Sequence, residues 1–315
     1  MTYALVFPGQ GAQEVGMGRG FYDACPAARR VFDEVDEALG FSLSRVIFQG
    51  PEEELRKTAL TQPAILTVSI AILEALREEW NLSLEPAFVA GHSLGEYTAL
   101  VAAGTLSVQD GARLVHLRGD RMQHAVPLGE GSMAAVLGLD AEAIREVCAE
   151  VSALGVCELA NYNAPGQIVL SGQVQAVERA QELAKERGAA KVIPLKVSAP
   201  FHCALMRPVA EELERAFEGA RWSPPRWPVL ANVDAAPKTD VPSIRKALYA
   251  QTYSPVLWAE EVRAMADQGV QAFVEIGPGN VLSGLAKRCV KGTKTLSVSK
   301  PEDVPGLLAF LEGGL

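Results

Sequence analysis

Residues 88–95 read Phe-Val-Ala-Gly-His-Ser-Leu-Gly, a short apolar run that leads into the pattern Gly-x-Ser-x-Gly. The run predicts a buried strand, and the residues from Leu94 to Ala103 predict the helix that follows it. A serine on such a sharp turn is exposed, and the two flanking glycines remove side chains that would collide with the strand and the helix. We therefore predict that Ser93 is a nucleophile; the alternative is a serine that only caps the helix.

Two turns in the sequence offer backbone N–H groups to an anion. The N–H of Leu94 lies at a predicted helix N-terminus, where the helix dipole favours the negative charge of an acyl oxyanion. The glycine-rich turn Phe7–Gln13, FPGQGAQ, follows an apolar strand at Tyr3–Phe7. This turn lacks the Gly-Lys-Ser/Thr of a P-loop and a helix-opening G-x-G-x-x-G, so nucleotide binding is disfavoured.

Strand, turn and helix signals alternate through most of the chain and predict an α/β fold. Outside the central region we expect helices at Pro26–Leu39, Gln62–Trp80 and Ser107–Gln123, a strand at Ala272–Ile276 and a helix at Val281–Arg288. Ser107 is the expected N-cap of its helix.

The central region has smaller units in the order βαββαβ, which is the ferredoxin-like motif. The expected elements are Ser132–Gly138, Asp140–Val151, Val156–Asn161, Ile168–Ser171, Val174–Arg187 and Lys191–Val197. We therefore predict a hydrolase-like parallel-sheet body of residues 1–128 and 198–315. A ferredoxin-like subdomain of residues 129–197 is expected as an insertion in it.

Composition indicates a globular protein and excludes several functions. The 315 residues are 49% hydrophobic and 21% charged, and 29 Lys and Arg against 38 Asp and Glu give a net charge of −9. This charge favours neither nucleic acid nor an anionic membrane as a partner. The apolar stretch Ala64–Leu73 is shorter than the ~20 residues that a membrane-spanning helix needs. No export signal is visible, and five cysteines without a CxxC pattern predict a reducing, cytoplasmic location.

A serine hydroxyl needs a base, and four histidines are candidates. His92 is expected to be a packing or hydrogen-bonding neighbour, and His116 and His124 are expected at the surface of a helix or its boundary. His202 follows the last strand of the central region on a loop, a usual position for a catalytic base. Its neighbour Cys203 is interpreted as filling a gap. The acceptor that orients the His202 ring is either a carboxylate that no motif identifies or a backbone carbonyl.

Six motifs give the whole chain a resemblance to a known family. In order, they are FPGQGAQ (Phe7–Gln13), GHSLGE (Gly91–Glu96), Arg118 in LVHLRGDRMQ, SAPFHCALM (Ser198–Met206), Gln251 in AQTYSPVLW, and EIGPGNVL (Glu275–Leu282). The sequence resembles the malonyl-CoA:acyl carrier protein transacylases of fatty acid synthesis, and it is similar to the acyltransferase domains of polyketide synthases.

The resemblance implies catalytic roles for residues at the two turns and the loop. It makes Ser93 the nucleophile that becomes malonylated and His202 its base, oriented by a main-chain carbonyl near Gln251. The backbone N–H groups of Gln10 and Leu94 would form the oxyanion hole.

The resemblance also implies residues that bind the substrate. From the residues alone, Arg118 is one of several arginines on an amphipathic helix; in the family it pairs with the malonyl carboxylate, as a planar guanidinium is suited to do. Phe201 matches the malonyl-selecting form of its loop, and Gln251 is a further substrate-binding residue.

The implied activity is ping-pong transfer of malonyl from malonyl-CoA to the phosphopantetheine thiol of acyl carrier protein. No metal or redox cofactor is expected, and we expect a monomer without nucleic-acid or membrane partners. Because carrier proteins of this pathway are acidic, Lys287, Arg288 and Lys291 are a hypothetical docking patch near the cleft mouth. The alternatives are a serine thioesterase or esterase, a non-enzymatic binding module, and an acyltransferase for longer or methylmalonyl groups.

Overall fold

The computed structural model describes residues 1–197 and 199–313. Within these ranges the strands are β1 (Tyr3–Phe7), β2 (Phe88–Gly91), β3 (Gly131–Leu137), β4 (Cys157–Ala164), β5 (Gln167–Gln173), β6 (Lys191–Pro194), β7 (Val229–Ala231), β8 (Ala236–Lys238), β9 (Ala272–Ile276) and β10 (Lys294–Val298). The helices are α1 (Arg19–Ala24), α2 (Pro26–Leu39), α3 (Leu43–Gln49), α4 (Glu52–Leu55), α5 (Thr58–Glu78), α6 (Leu94–Ala102), α7 (Val108–Gln123), α8 (Ala141–Glu150), α9 (Val174–Glu186), α10 (Arg207–Phe217), α11 (Val241–Gln251), α12 (Trp258–Asp267), α13 (Val281–Cys289) and α14 (Val304–Leu311).

The larger sheet has six strands in the order β10-β9-β1-β2-β7-β8. Neighbouring strands are parallel except at the edge, where β8 runs antiparallel to β7. The side chains of β1 alternate between two apolar clusters: Leu5 and Phe7 belong to the cluster that includes α5, and Ala4 and Val6 to the one that includes α12 and α13. Burial on both faces explains the unbroken apolar runs of these strands. The predicted parallel-sheet body is confirmed.

The smaller sheet has four antiparallel strands in the order β4-β5-β3-β6. Along the chain its elements follow the predicted order βαββαβ. Ile144 and Val147 of α8 pack with Val177 and Ala180 of α9 in the apolar cluster that this sheet covers. The predicted ferredoxin-like arrangement is therefore confirmed. The division into residues 1–128 with 198–315 and residues 129–197 stays a prediction, and its second boundary falls at Ser198, outside the described residues.

Several elements differ from the sequence expectation. Strand β4 continues beyond the predicted Asn161 to Ala164. Two register shifts in its pairing with β5 interrupt the alternation of side chains, so the sequence pattern did not reveal the last residues of the strand. Strand β6 ends at Pro194, earlier than predicted. Strands β7 and β8 have three residues each, too few for a periodic pattern, and most of β10 is only partly buried.

Helix α5 contains the apolar stretch Ala64–Leu73. The helix has 21 residues and contains a window with a mean hydropathy of 1.6, so by length and composition alone it could cross a membrane. In the folded chain, 83% of its apolar window is buried. It packs against α2, α6 and α7. Enclosure by protein on several sides explains why the helix lacks a polar face.

The carboxyl ends of the parallel strands lie at one edge of the larger sheet. The loop after β1 carries Gln10, the turn after β2 carries Ser93, and β7 is followed directly by Asn232. In open α/β sheets this edge is where ligands bind. The topology therefore brings together segments that are far apart in sequence.

Candidate active site

Ser93 lies at the junction of β2 and α6 with φ 55° and ψ −108°. A non-glycine residue in this conformation is strained, so the surrounding structure must hold it. The glycines are required by close packing: a Cβ at Gly91 would lie 1.9 Å from the carbonyl oxygen of Gly95, and one at Gly95 would lie 2.2 Å from that of Phe7. The Ser93 side chain makes no capping hydrogen bond to α6, which removes support for the helix-cap alternative.

His202 is placed against the Ser93 hydroxyl. Its Nε2 lies 2.7 Å from Ser93 Oγ, and its Nδ1 lies 2.9 Å from the backbone carbonyl oxygen of Gln251. A carbonyl only accepts hydrogen bonds, so Nδ1 carries the hydrogen and Nε2 is free to accept the proton of the serine. Of the two acceptors that the sequence left open, the geometry selects the backbone carbonyl.

The environment of His202 keeps its ring neutral. Burial, and after it the positive charge of Arg118, lower the pKa of His202 from the ordinary 6.5 to about 3. The hydrogen bond to the Gln251 carbonyl opposes this shift by stabilising the charged ring. The imidazole is therefore in its basic form at neutral pH, as the activation of a serine requires.

This pKa leads to a prediction about pH. A base is lost as the pH falls through its pKa, so a depressed pKa moves the acid limb of kcat/KM for malonyl-CoA below about pH 5. A histidine at its ordinary pKa would instead lose roughly 10-fold between pH 7.5 and 5.5. The measurement is stopped-flow acylation from pH 5 to 8. Burial raises the pKa of Glu96 to about 7, so this carboxyl titrates in the same range, and the measurement is repeated on Glu96→Gln to remove its contribution. An acid limb near pH 6.5 in both proteins contradicts the assignment.

Arg118 lies on α7 and is 0% exposed. Its Nη1 donates to Gln62 Oε1 at 2.8 Å, and its Nη2 donates to Gln251 Oε1 at 2.9 Å and to Ser93 Oγ at 3.1 Å. The guanidinium carbon lies 5.5 Å from the ring centroid of Tyr97. The sequence could not distinguish this arginine from its neighbours on the helix, and the structure places it at the nucleophile.

The charge of Arg118 is held by neutral hydrogen-bond acceptors. Its Nε has no hydrogen-bond partner in the part of the chain that the structure describes. Glu96 attracts the guanidinium electrostatically, but burial raises the pKa of that carboxyl to about 7, so its negative charge is incomplete at neutral pH. A buried cation that is poorly compensated is costly, so a bound carboxylate would be strongly favoured here. The site is thus suited to a substrate that carries a negative charge near its reacting carbon.

The residues named so far open onto a cavity between the two sheets. From the body it is lined by Gln10, Gln62, His92, Ser93, Arg118, Met122, Phe201 and His202, and from the region of the smaller sheet by Met133, Asn161, Leu195 and Val197. Met122, Met133, Leu195, Val197 and Phe201 supply apolar walls, and polar side chains, among them Ser93, Arg118 and His202, supply the rest. A small acyl group fits this division of polarity.

A second cavity adjoins the first and shares Gln10 and His92 with it. The remainder of its lining comes from Pro8, Gly9, Gly11, Ala12, Asn163, Gln167, Val281, Leu282 and Leu285. It therefore lies between the glycine-rich turn after β1 and the first turns of α13. Together the two cavities provide room for a substrate longer than its acyl group.

Of the other predicted site residues, some line the cavity and others lie behind it. Gln10 and Phe201 line it, and Leu94 begins α6 directly after Ser93. Gln251 is fully buried, and its side chain bonds to Arg118 and to the backbone of Ser93. In this geometry Gln251 holds protein groups, and the substrate contact implied for its side chain stays a prediction.

The remaining histidines and Cys203 make local contacts, as expected. His92 Nε2 lies 2.7 Å from Asn163 Oδ1, while His116 and His124 bond through Nδ1 to backbone carbonyls. Cys203 is buried with its Sγ 3.2 Å from the carbonyl oxygen of Pro200, and burial raises the pKa of its thiol to about 11. A thiol with this pKa is a poor nucleophile at neutral pH.

Sequence reasoning missed a set of buried polar residues behind Ser93. Glu96 lies within GHSLGE but has no predicted role, and Asn232 and Glu261 lie in segments without a motif. All three are buried. No sequence signal identifies these residues, because they share no motif and become neighbours only in the folded chain.

The fold and the arrangement of hydroxyl, imidazole and guanidinium define the class: a serine-dependent acyl-transfer enzyme. The chain belongs to the family described as the acyl transferase domain, whose model matches residues 4–307. The resemblance inferred from the six motifs is confirmed.

Individual relatives cover nearly the whole chain. It is 50% identical over 302 residues to the malonyl CoA-acyl carrier protein transacylase of Bacillus subtilis (strain 168), covering 96% of this chain and 94% of the relative. The acyl-carrier-protein-S-malonyltransferase structure from Bartonella henselae matches with TM-score 0.96 and 45% identity, over 99% and 100% of the two chains. A malonyl-transacylase in complex with a type II PKS acyl-carrier protein matches with TM-score 0.94 and 44% identity, over 99% and 100%.

Proposed function

We propose that the protein transfers the malonyl group of malonyl-CoA to the phosphopantetheine thiol of acyl carrier protein in fatty acid synthesis. The observation that carries this proposal is the buried Arg118 guanidinium, 3.1 Å from Ser93 Oγ and bonded to neutral side chains. A malonyl thioester has a carboxylate two bonds beyond its reacting carbonyl carbon. Bound to Arg118, that carboxylate compensates the buried charge and brings the carbonyl to the nucleophile.

In the first half-reaction, Ser93 Oγ attacks the thioester carbonyl of malonyl-CoA while His202 Nε2 takes the hydroxyl proton. The negative charge moves to the carbonyl oxygen, which the backbone N–H groups of Gln10 and Leu94 stabilise. The tetrahedral intermediate then collapses: its C–S bond breaks, and His202 returns the proton to the departing sulfur. The products are free CoA and a malonyl ester on Ser93.

The second half-reaction reverses these roles with a new thiol. The phosphopantetheine thiol loses its proton to His202 and attacks the malonyl-Ser93 carbonyl. Breakage of the ester C–O bond returns the electron pair to Ser93 Oγ, which recovers its proton from His202. The cavity that extends along the turn after β1 would receive the long phosphopantetheine arm.

Selectivity for malonyl has two proposed sources. Arg118 favours acyl groups with a terminal carboxylate, and the Phe201 ring in the cavity wall opposes a methyl branch next to the carbonyl. A difference of one methyl group in a pocket is worth only ~1–3 kcal/mol, so discrimination against methylmalonyl is expected to be incomplete.

The proposal extends to the working state of the enzyme. All steps use side chains and backbone groups of one chain and two substrates, so we propose a reaction without a metal or redox cofactor and without a second copy. The five cysteines are free thiols, in keeping with a reducing cytoplasm.

The proposed function is tested by intact mass spectrometry after brief mixing with malonyl-CoA, with acetyl-CoA as the control. Peptide mapping locates the adduct, and a chase with phosphopantetheinylated acyl carrier protein tests the acceptor. We expect a malonyl adduct on Ser93 that moves to the carrier. An adduct that disappears equally fast without carrier indicates a thioesterase, and no adduct on the folded protein indicates a binding module.

The proposed docking patch is partly revised by the structure. Lys287 and Arg288 are exposed in the last turn of α13, and Arg288 bonds to Gln167, which lines the second cavity. Lys291 instead borders a depression with Lys294, where β10 begins. The strands begin at the edge opposite the active site, so we leave Lys291 out of the proposed patch.

This arrangement supplies a charge-reversal prediction with a matched control. At low salt, Arg288→Glu is expected to lower kcat/KM for acyl carrier protein by about 10-fold, because a charge near the cleft steers an acidic partner. Loading from malonyl-CoA in the absence of carrier is the reference for general damage. Lys291→Glu makes the same charge change at the opposite edge and is expected to have little effect. Equal losses in the two variants would show that only net charge matters.

A further inference from the structure

Behind Ser93 lies a cluster of buried polar side chains that the reaction steps do not use. Its members are Glu96, Asn232, Gln251 and Glu261, from α6, the residue after β7, α11 and α12. Each is at most 2% exposed. Buried polar groups are costly unless they bond to one another, so the contacts within this cluster indicate what it holds in place.

Asn232 spans the two ends of the Ser93 turn. Its Oδ1 accepts a hydrogen bond from the backbone N–H of Ser93 at 2.8 Å. Its Nδ2 donates to the backbone carbonyl of Gly91 and to Glu261 Oε1, each at 2.8 Å. One side-chain amide therefore fixes the last residue of β2 and the nucleophile relative to each other.

Gln251 holds the other side of the same residue. Its Nε2 lies 2.8 Å from the backbone carbonyl oxygen of Ser93, 3.1 Å from Glu96 Oε2 and 3.2 Å from Asn232 Oδ1. Both backbone polar groups of Ser93 are thus bonded to buried amides. Because the backbone of Ser93 is strained, these bonds supply the restraint that its conformation requires.

Glu96 and Glu261 anchor the two amides. Glu96 Oε2 accepts from the backbone N–H of Asn232 at 3.0 Å, in addition to its bond from Gln251. Burial raises the pKa of Glu261 well above its ordinary range, and the neighbouring Glu96 raises it further. Both effects favour the protonated form of Glu261, which can anchor Asn232 without adding negative charge next to Glu96.

We propose that Asn232 is a positioning residue for acyl transfer: its side-chain amide, anchored on Glu261, holds the Ser93 turn so that the hydroxyl stays against His202. The inference rests on the proposed function, in which Ser93 carries the acyl group. A nucleophile that is misplaced by about 1 Å can lose ~100-fold in rate. Loss of this restraint therefore changes the rate of acylation in protein that is fully folded.

The test compares Asn232→Ala with Asp140→Ala by rapid mixing with malonyl-CoA and intact mass spectrometry. Asp140 caps α8 in the smaller sheet region through the N–H of Ala143, so its loss destabilises the protein away from the cavity. For Asn232→Ala we expect the acylation rate constant to fall by about 10- to 100-fold while the final fraction of acylated protein stays high. Asp140→Ala is expected to keep the wild-type rate constant.

The two measured quantities separate a positioning role from a structural one. If Asn232→Ala acylates at the wild-type rate and only the acylated fraction falls, Asn232 merely stabilises the fold and the inference is overturned. If the wild-type protein itself forms no adduct on Ser93, the proposed function fails before this question arises.

A second pair of variants covers the case in which Asn232→Ala does not fold. Glu261→Ala removes the anchor of the amide without touching Ser93, and it is expected to slow acylation by roughly 3- to 10-fold. Glu261→Gln keeps an acceptor oxygen for Asn232 and is expected to restore the rate. A Glu261→Ala rate constant equal to that of the wild type would overturn the inference as well.

Discussion

Ser93→Ala is expected to abolish the malonyl adduct and to lower malonyl transfer by roughly 10⁴- to 10⁶-fold. Both half-reactions pass through an ester on Oγ, and Ser93 is the hydroxyl that the described part of the chain pairs with a base. Burial raises the pKa of the nearby Cys203 thiol, and its Sγ is directed to the Pro200 carbonyl. The substitution removes one hydroxyl and leaves the strained backbone unchanged. The readouts are transfer to carrier protein and intact mass after malonyl-CoA addition.

The matched control for this experiment is Ser152→Ala. Ser152 is exposed, and its hydroxyl donates to the backbone carbonyl of Ala149 at 2.7 Å. This variant is expected to acylate and transfer at the wild-type rate. A malonyl adduct that persists in Ser93→Ala, on any residue, would refute the assignment of the nucleophile.

The part of the site that sequence predicted is the part that depends on local geometry. Gly91 and Gly95 are required by contacts within one strand–turn–helix unit, so the pattern around Ser93 carries its own structural explanation. The strands of the larger sheet were also predictable where burial on both faces gives long apolar runs. Short or edge strands such as β7 and β10 depend on pairing partners that a local pattern does not contain.

The part that sequence could not predict depends on contacts across the fold. The acceptor for the His202 ring is a backbone carbonyl, and every residue has one, so no residue type indicates that of Gln251. Asn232 is likewise defined by its position after a three-residue strand, next to the end of β2. Only topology makes these groups neighbours of Ser93.

Arg118 shows this most clearly, because its sequence position predicts an exposed side chain and the structure buries it. On an amphipathic helix an arginine is usually exposed, and Arg113 on the same helix is exposed, with an ion pair to Asp110 at 3.3 Å. Arg118 is buried with neutral partners instead. The family resemblance implied that Arg118 pairs with the malonyl carboxylate. Its burial gives the physical reason, because a buried positive charge favours a substrate that carries a negative one.

Arg118→Ala is therefore expected to lower kcat/KM for malonyl-CoA by roughly 30- to 5,000-fold, the equivalent of about 2–5 kcal/mol for one lost partner of a buried charge pair. Acetyl-CoA has no carboxylate, and it leaves the guanidinium uncompensated in the wild-type enzyme. Its kcat/KM is expected to change by less than about 10-fold. Measurement of both substrates by stopped-flow acylation gives the ratio directly, with Arg113→Ala as the control on the same helix.

The ratio of the two losses decides between a carboxylate-binding role and a structural one. Arg118 also bonds to Ser93 Oγ and to Gln251, so its removal could disturb the nucleophile itself. Such a disturbance acts on the hydroxyl, and it would slow malonyl and acetyl transfer equally. Equal losses would thus refute the carboxylate role, whereas a loss confined to malonyl requires that Arg118 binds the part of the substrate that acetyl-CoA lacks.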